Sequence, residues 1–411
     1  MKSRKDMARS MESLKAAGPA KARRATRRAS QETIDSLAAL IGFDTTSRNS
    51  NLDLIDWAED RLKSAGARIR RDFNDDRTKA NLFATFGDGP GGLVLSGHSD
   101  VVPVDGQTWS SDPFRADLRD GRIYGRGACD MKAFLGVVIA QAPKFGRARL
   151  REPIHVALTY DEELGCLGVP RLIADLKTAN IAPTGCIIGE PSDMRVISAH
   201  KGGRIYRCRV TGCAGHSSLA PKGVNAIEYA ARLITHIQDL ANHEEAQGFR
   251  DDGYEVPFAT ISTNLITGGN GANIIPAACE FLFDYRFPPE VAADMFISSL
   301  ERYAATQLLP RMRAKHDAAA IDFECVGDIP ALDAGDSGNL QRLALDLLGK
   351  AESGKVSYGT EAGFFQGAGV PTIVCGPGSI EQAHKADEYV SLDQLCVCER
   401  FIEDLVARQS R

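Results

Sequence analysis

From residue 30 onward the chain alternates between two kinds of hydrophobic pattern. Ser30 precedes Ile34, Leu37, Leu40 and Ile41, apolar positions at helical spacing behind a residue suited to cap a helix. From there to about residue 205, helix-like stretches are interrupted by short apolar runs at Leu93 to Leu95, Ile154 to Leu158 and Cys186 to Ile188, and another follows much later at Thr372 to Cys375. Short β-prone runs with no polar face predict strands buried on both sides. Their alternation with helices predicts an α/β fold, a mixed, mostly parallel sheet flanked by helices.

Between about 207 and 321 the pattern changes. Ile205 to Val210, Phe258 to Asn264 and Cys279 to Tyr285 read as strands, while Ala226 to Leu240 and Ala292 to Leu308 read as amphipathic helices. This predicts an α+β unit over 207–321, inserted between the halves 31–206 and 322–411 of the first domain.

Charge alters the picture at the amino terminus. Residues 1–30 hold ten Lys or Arg against Asp6 and Glu12, a net of +8, so the formal −5 of the whole chain leaves −13 on the remainder. An acidic body argues against nucleic-acid binding, which needs a dense basic surface; only the arm over 1–30 has one. The arm reads as a solvated, disordered tail, with an organelle-targeting segment (Met7, Met11 and Leu14 form a weak apolar stripe) or a start placed too far upstream as alternatives. No continuous apolar stretch follows these charges as a secretory signal requires, and no run reaches the ~18–20 apolar residues of a membrane span. Ten cysteines without a CxxC pair read as free thiols in a reducing compartment, and a cytoplasmic location is expected.

The residues after each buried run carry the candidate chemistry. Leu93 to Leu95 leads to His98 and Asp100, Ile154 to Leu158 to Asp161, Glu162 and Glu163, Cys186 to Ile188 to Glu190, and Thr372 to Cys375 to His384; Asp130 lies in the turn GRGACDMKAF before a predicted helix. Ligands of open α/β sheets gather beyond the carboxyl ends of strands, so these groups can converge across nearly the whole chain. Singly, each has a plain explanation: a structural hydrogen bond for His98, helix capping for Asp130. Three adjacent carboxylates at 161–163 are either splayed into water or compensated by cations. Together, two histidines and three carboxylates (His98, Asp130, Glu163, Glu190, His384) make a donor set that zinc accepts, and five groups suffice for two ions if one carboxylate bridges.

With these motifs in the order SGHSDVVPV, GRGACDMKAF, ALTYDEELGC, IIGEPSD and QAHKADEYV, the chain resembles the dinuclear-zinc M20 metallopeptidase family over residues 31–411. The GTEAG segment at 359–363 brings it nearest to the acetylornithine deacetylase branch. The resemblance implies hydrolysis of the acetamide of N2-acetyl-L-ornithine, a step of arginine biosynthesis. Desuccinylation of succinyl-diaminopimelate, or broader N-acyl-amino-acid deacylase or dipeptidase activity, is the alternative within the family, and a non-catalytic small-ligand binder the alternative outside it. It further implies two Zn2+ per subunit, replaceable by Co2+ or Mn2+, bridged by Asp130, with His98 and Glu190 on one ion and Glu163 and His384 on the other. Asp100 would orient His98 and Glu162 would be the general base. The inserted domain would be a lid and homodimer interface carrying His216, which stabilises the oxyanion in the neighbouring subunit's site. Asn273, Arg286, Thr360 and Glu361 would bind substrate, Arg286 holding a carboxylate in a bidentate fork.

Overall fold

The computed structural model describes residues 28–410 apart from 334, 336 and 337; the basic arm expected over 1–30 falls almost wholly outside them. Helix Gln31–Ile41 begins where expected, with the Ser30 hydroxyl accepting from the Thr33 N–H at 3.3 Å. Among the described residues no helix is long and apolar enough to cross a membrane.

The main sheet runs in the order Arg68–Phe73, Ala80–Phe86, Ile154–Thr159, Leu93–His98, Gly185–Pro191, Thr372–Gly376, Ile197–His200 and Leu332–Asp333, with Gly354–Val356 also paired to Ile197–His200. The four inner strands, Ile154–Thr159 to Thr372–Gly376, are mutually parallel and contain the four apolar runs. Every residue in them is buried, because helices cover both faces. Leu95 faces a layer built by Gln31–Ile41, Leu52–Ser64, Lys132–Arg147 and Leu392–Gln409, whereas Val94 faces the layer of Val169–Thr178 and Ala362–Gly367. That two-residue period explains why these strands lack a polar face.

Gly189 fixes the spacing of one layer. A Cβ there would lie 1.9 Å from Cγ of Phe134, so the helix Lys132–Arg147 can approach the strand only over a glycine.

A second sheet, ordered Thr260–Gly268, Ala278–Phe287, Gly202–Thr211 and Ala320–Ile329, is antiparallel throughout. Ala278–Phe287 alternates buried and partly exposed positions, the signature of a sheet covered on one face. Helices Ala226–Gln247 and Met295–Tyr303 supply that cover and close a separate core containing Leu233, Phe281, Phe283 and Leu300. The sheet spans 202–329, wider than the expected 207–321. Its first and last strands pair with each other down to Gly203 opposite Ile329, so both connections leave the unit side by side. The helix expected over 292–308 is regular only over Met295–Tyr303 and widens at Ala304–Leu308, where Pro310 cannot donate a backbone hydrogen bond to residue 306.

Replacing Gly189 with Ala is expected to destabilise the fold by about 1–3 kcal/mol through overpacking against Phe134. Denaturant unfolding of the two proteins measures this; a variant as stable as the parent would show that the layer spacing is not set here.

Candidate active site

The predicted strand ends do converge. One candidate ligand atom from each of His98, Asp130 and Glu190 lies within 4.8 Å of the others, and the same holds for Asp130, Glu163 and His384, so the two trios share Asp130. His98 Nε2 is 3.0 Å from one Asp130 oxygen and 3.6 Å from Glu190; His384 Nε2 is 3.3 Å from the other Asp130 oxygen and 3.2 Å from Glu163. His384 has a positive φ of 63°, a left-handed conformation uncommon for a residue with a side chain.

The three adjacent acids separate according to their partners. Asp161, also left-handed at φ 53°, turns away to pair with Lys79, while Glu162 and Glu163 face the cleft. Asp100 organises this turn. Its backbone carbonyl accepts from His98 Nδ1 at 2.9 Å, which leaves His98 Nε2 aimed at Asp130 and Glu190. Its carboxylate lies 3.7 Å from that ring and accepts instead from Ser47 Oγ (2.7 Å) and from the N–H groups of Glu162 (3.1 Å) and Glu163 (3.3 Å). The orienting contact to His98 therefore comes from the Asp100 main chain, and the side chain holds the neighbouring acids.

The electrostatics of the cluster are those of anions short of cations. Burial, then Asp130, pushes Glu163 up and Glu190 well up from the usual carboxylate range; burial, reinforced by Glu163, Asp130 and Glu361 and opposed by His98, does the same to Glu162. Burial opposes the charge of His98, but Glu190, Asp130 and Glu162 more than offset it. Contacts with Asp130 and Glu163 raise His384 to about 10. A buried oxygen of Glu163 has no hydrogen-bond partner. Nitrogen and oxygen donors, an orphaned carboxylate oxygen and excess negative charge fit divalent ions at both trios.

These acids line a cleft of about 400 Å³ between the two sheets. The opposite wall comes from the second sheet, through Gly203, Ile205, Arg286, Val326 and Ile329. Arg286 is held in a bidentate pair with Asp284 at 2.8 and 2.9 Å, and its guanidinium passes over Gly203, where a Cβ would come within 2.7 Å of Nη1.

Other predicted contacts are placed differently. Thr360 and Glu361, expected to bind substrate, are each only 1% exposed and are not among the residues that line the cleft. They form the turn before the buried helix Ala362–Gly367, where the Thr360 hydroxyl accepts from the Ala362 N–H at 3.1 Å. Burial raises the Glu361 carboxyl to about 7, with Thr159 and His98 opposing. Asn273 and His216 are exposed and do not line this chain's cleft; the His216 ring contacts the Ser218 hydroxyl at 2.8 Å. Tyr358, beside Thr360, does line it and was not singled out, although it stands in the same motif. Also missed was Glu388, four residues after His384, which accepts from the Asp130 N–H at 2.9 Å; its only sequence signal was an acid close to a candidate ligand.

The profile of peptidase family M20/M25/M40 matches residues 94–408. The chain belongs to this family. It is a metallohydrolase of amide bonds, as the family's peptidases are. A Pasteurella multocida (strain Pm70) protein named acetylornithine deacetylase is 35% identical over 379 residues, covering 90% of this chain and 96% of that one. Among solved structures, a tripeptidase from Staphylococcus aureus subsp. aureus Mu50 superposes with a TM-score of 0.72 at 18% identity, covering 93% of this M20 chain and all of the other. The Bacillus subtilis YXEP protein, described as a dinuclear metal-binding M20 peptidase, gives 0.65 at 14% identity, covering 92% and 97%.

Zinc added to the metal-stripped protein is expected to stabilise it by about 2.7 kcal/mol for each site filled at a free-ion concentration near 100 Kd. Calorimetric unfolding with and without zinc measures this; an unchanged midpoint would argue against ion binding at these trios.

Proposed function

We propose that this M20 hydrolase deacetylates N2-acetyl-L-ornithine to L-ornithine and acetate. The chemistry rests on one arrangement, two ligand trios sharing Asp130 with the half-buried Glu162 in the same cleft. The choice of substrate rests on the 35% identity to the Pasteurella deacetylase.

In this reading Asp130 would be the ligand common to two divalent ions, zinc in the first place with cobalt or manganese as substitutes. His98 and Glu190 would hold one ion with it, and Glu163 and His384 the other. When bound, the ions supply Lewis-acid polarisation of the acetyl carbonyl and acidify water. Glu162 takes a proton from the attacking water as its oxygen bonds to the carbonyl carbon. Glu162 then delivers that proton to the amide nitrogen as the C–N bond breaks, so the water oxygen leaves in acetate and the nitrogen leaves as the amine of ornithine. Asp100 keeps Glu162 in place through its backbone N–H.

Arg286 binds the substrate α-carboxylate; Asn273, exposed beside His216 and outside this chain's cleft, would make its polar contact from the other subunit of a homodimer. The edge strand Thr260–Gly268 exposes Leu265 (59%) and Ile266 (52%), a surface suited to pairing with a second copy. In such a homodimer His216 would act in the other subunit's cleft, stabilising the oxyanion.

Side-by-side assays on N-acetyl-L-ornithine, succinyl-diaminopimelate and N-acetylmethionine should give the highest kcat/KM with the first; faster desuccinylation would move the assignment to that alternative. Glu162→Ala should keep both ions while turnover falls by a factor of about 10² to 10⁴. A fully active variant would remove Glu162 from the mechanism.

A further inference from the structure

We propose that Glu388 is a positioning residue that locks the turn carrying Asp130 to the loop carrying His384, and so sets the geometry of the shared metal ligand. This rests on the metal-site reading above. Glu388 is 1% exposed. One of its oxygens accepts from the N–H groups of Cys129 (2.7 Å) and Asp130 (2.9 Å), the other from the Gly127 N–H (3.0 Å) and Arg126 Nη1 (2.7 Å). Four donors on one carboxylate, three of them main-chain N–H groups of the turn over 127–130, form an anion-binding nest filled by the protein's own side chain.

The nest sits at the end of a ladder. Tyr389–Ser391 pairs antiparallel with Arg122–Tyr124, and the Gly125 N–H donates to the Glu388 carbonyl at 3.0 Å. The same network reaches His384: Arg126 donates to the Lys385 carbonyl (3.3 Å) and to Gln107 Oε1 (2.6 Å), and Gln107 Nε2 donates to the His384 carbonyl at 2.9 Å. Asp130 and His384, 254 positions apart in sequence, are thereby tied by their backbones before any ion arrives. Partners that hold metal ligands in place typically contribute 10- to 100-fold in affinity.

Glu388→Gln presents an amide N–H₂ to donors on one side of the nest and should release half of the clamp. Zinc affinities of wild-type and variant full-length protein, measured by competition with a chromogenic chelator on samples whose fold is checked by circular dichroism, test the proposal. Affinity should fall 10- to 100-fold in folded Glu388→Gln. A loss of thermal stability with zinc affinity within twofold of wild type would make Glu388 a purely structural residue and overturn the proposal. Should Glu388→Gln fail to fold, Gln107→Ala, at the partly exposed rim of the network, should still weaken the ion expected at Glu163 and His384 several-fold; unchanged binding of both ions would overturn the link to His384. A wild-type protein that binds no zinc would instead overturn the metal-site reading, and this proposal with it.

Discussion

Everything in the cleft depends on the cost of crowding carboxylates away from water. Asp130, Glu162, Glu163 and Glu190 converge within one small volume, where His98 and His384 are the cationic side chains within 4 Å of them among the described residues and Arg286 stands in the opposite wall. A protein interior tolerates such a cluster only when protons or cations neutralise it. The raised proton affinities of Glu162, Glu163 and Glu190 and the orphaned oxygen of Glu163 are two expressions of the same deficit. Divalent ions are the economical solution, since one ion replaces two protons and leaves Glu162 free to carry one.

The fold supplies the cluster through its four parallel strands. Because their direction is common, their carboxyl ends lie along one edge, and residues from position 98 to 384 meet there. The second sheet closes the cleft from the opposite side with Arg286 and apolar residues. Its first and last strands leave together near Gly203 and Ile329, so the wall that faces the acids is also the junction between the two cores.

Much of this was legible in the sequence. Strands buried on both faces declare themselves as uninterrupted apolar runs, and an acid or histidine just beyond such a run has few other places to go. What could not be read depends on partners distant along the chain. The division among Asp161, Glu162 and Glu163 is decided by Lys79, which lies 82 positions before Asp161 and draws it out of the cleft. The burial of Thr360 and Glu361 follows from the packing of a six-residue helix whose pattern resembles that of a loop. The bounds expected for the inserted unit, 207–321, fall inside the sheet because its first strand opens on Gly202 and Gly203, which carry no hydrophobic signal. The nest around Glu388 is built from main-chain N–H groups, which leave no mark in sequence.

The proposed role of Asp130 as the shared ligand joins these parts, and diffraction with anomalous scattering from crystals of the zinc-loaded protein tests it most directly. Two zinc peaks are expected, both within coordination distance of Asp130, one beside His98 and Glu190 and the other beside Glu163 and His384. A single peak, or ions held without Asp130, would contradict the account of the site.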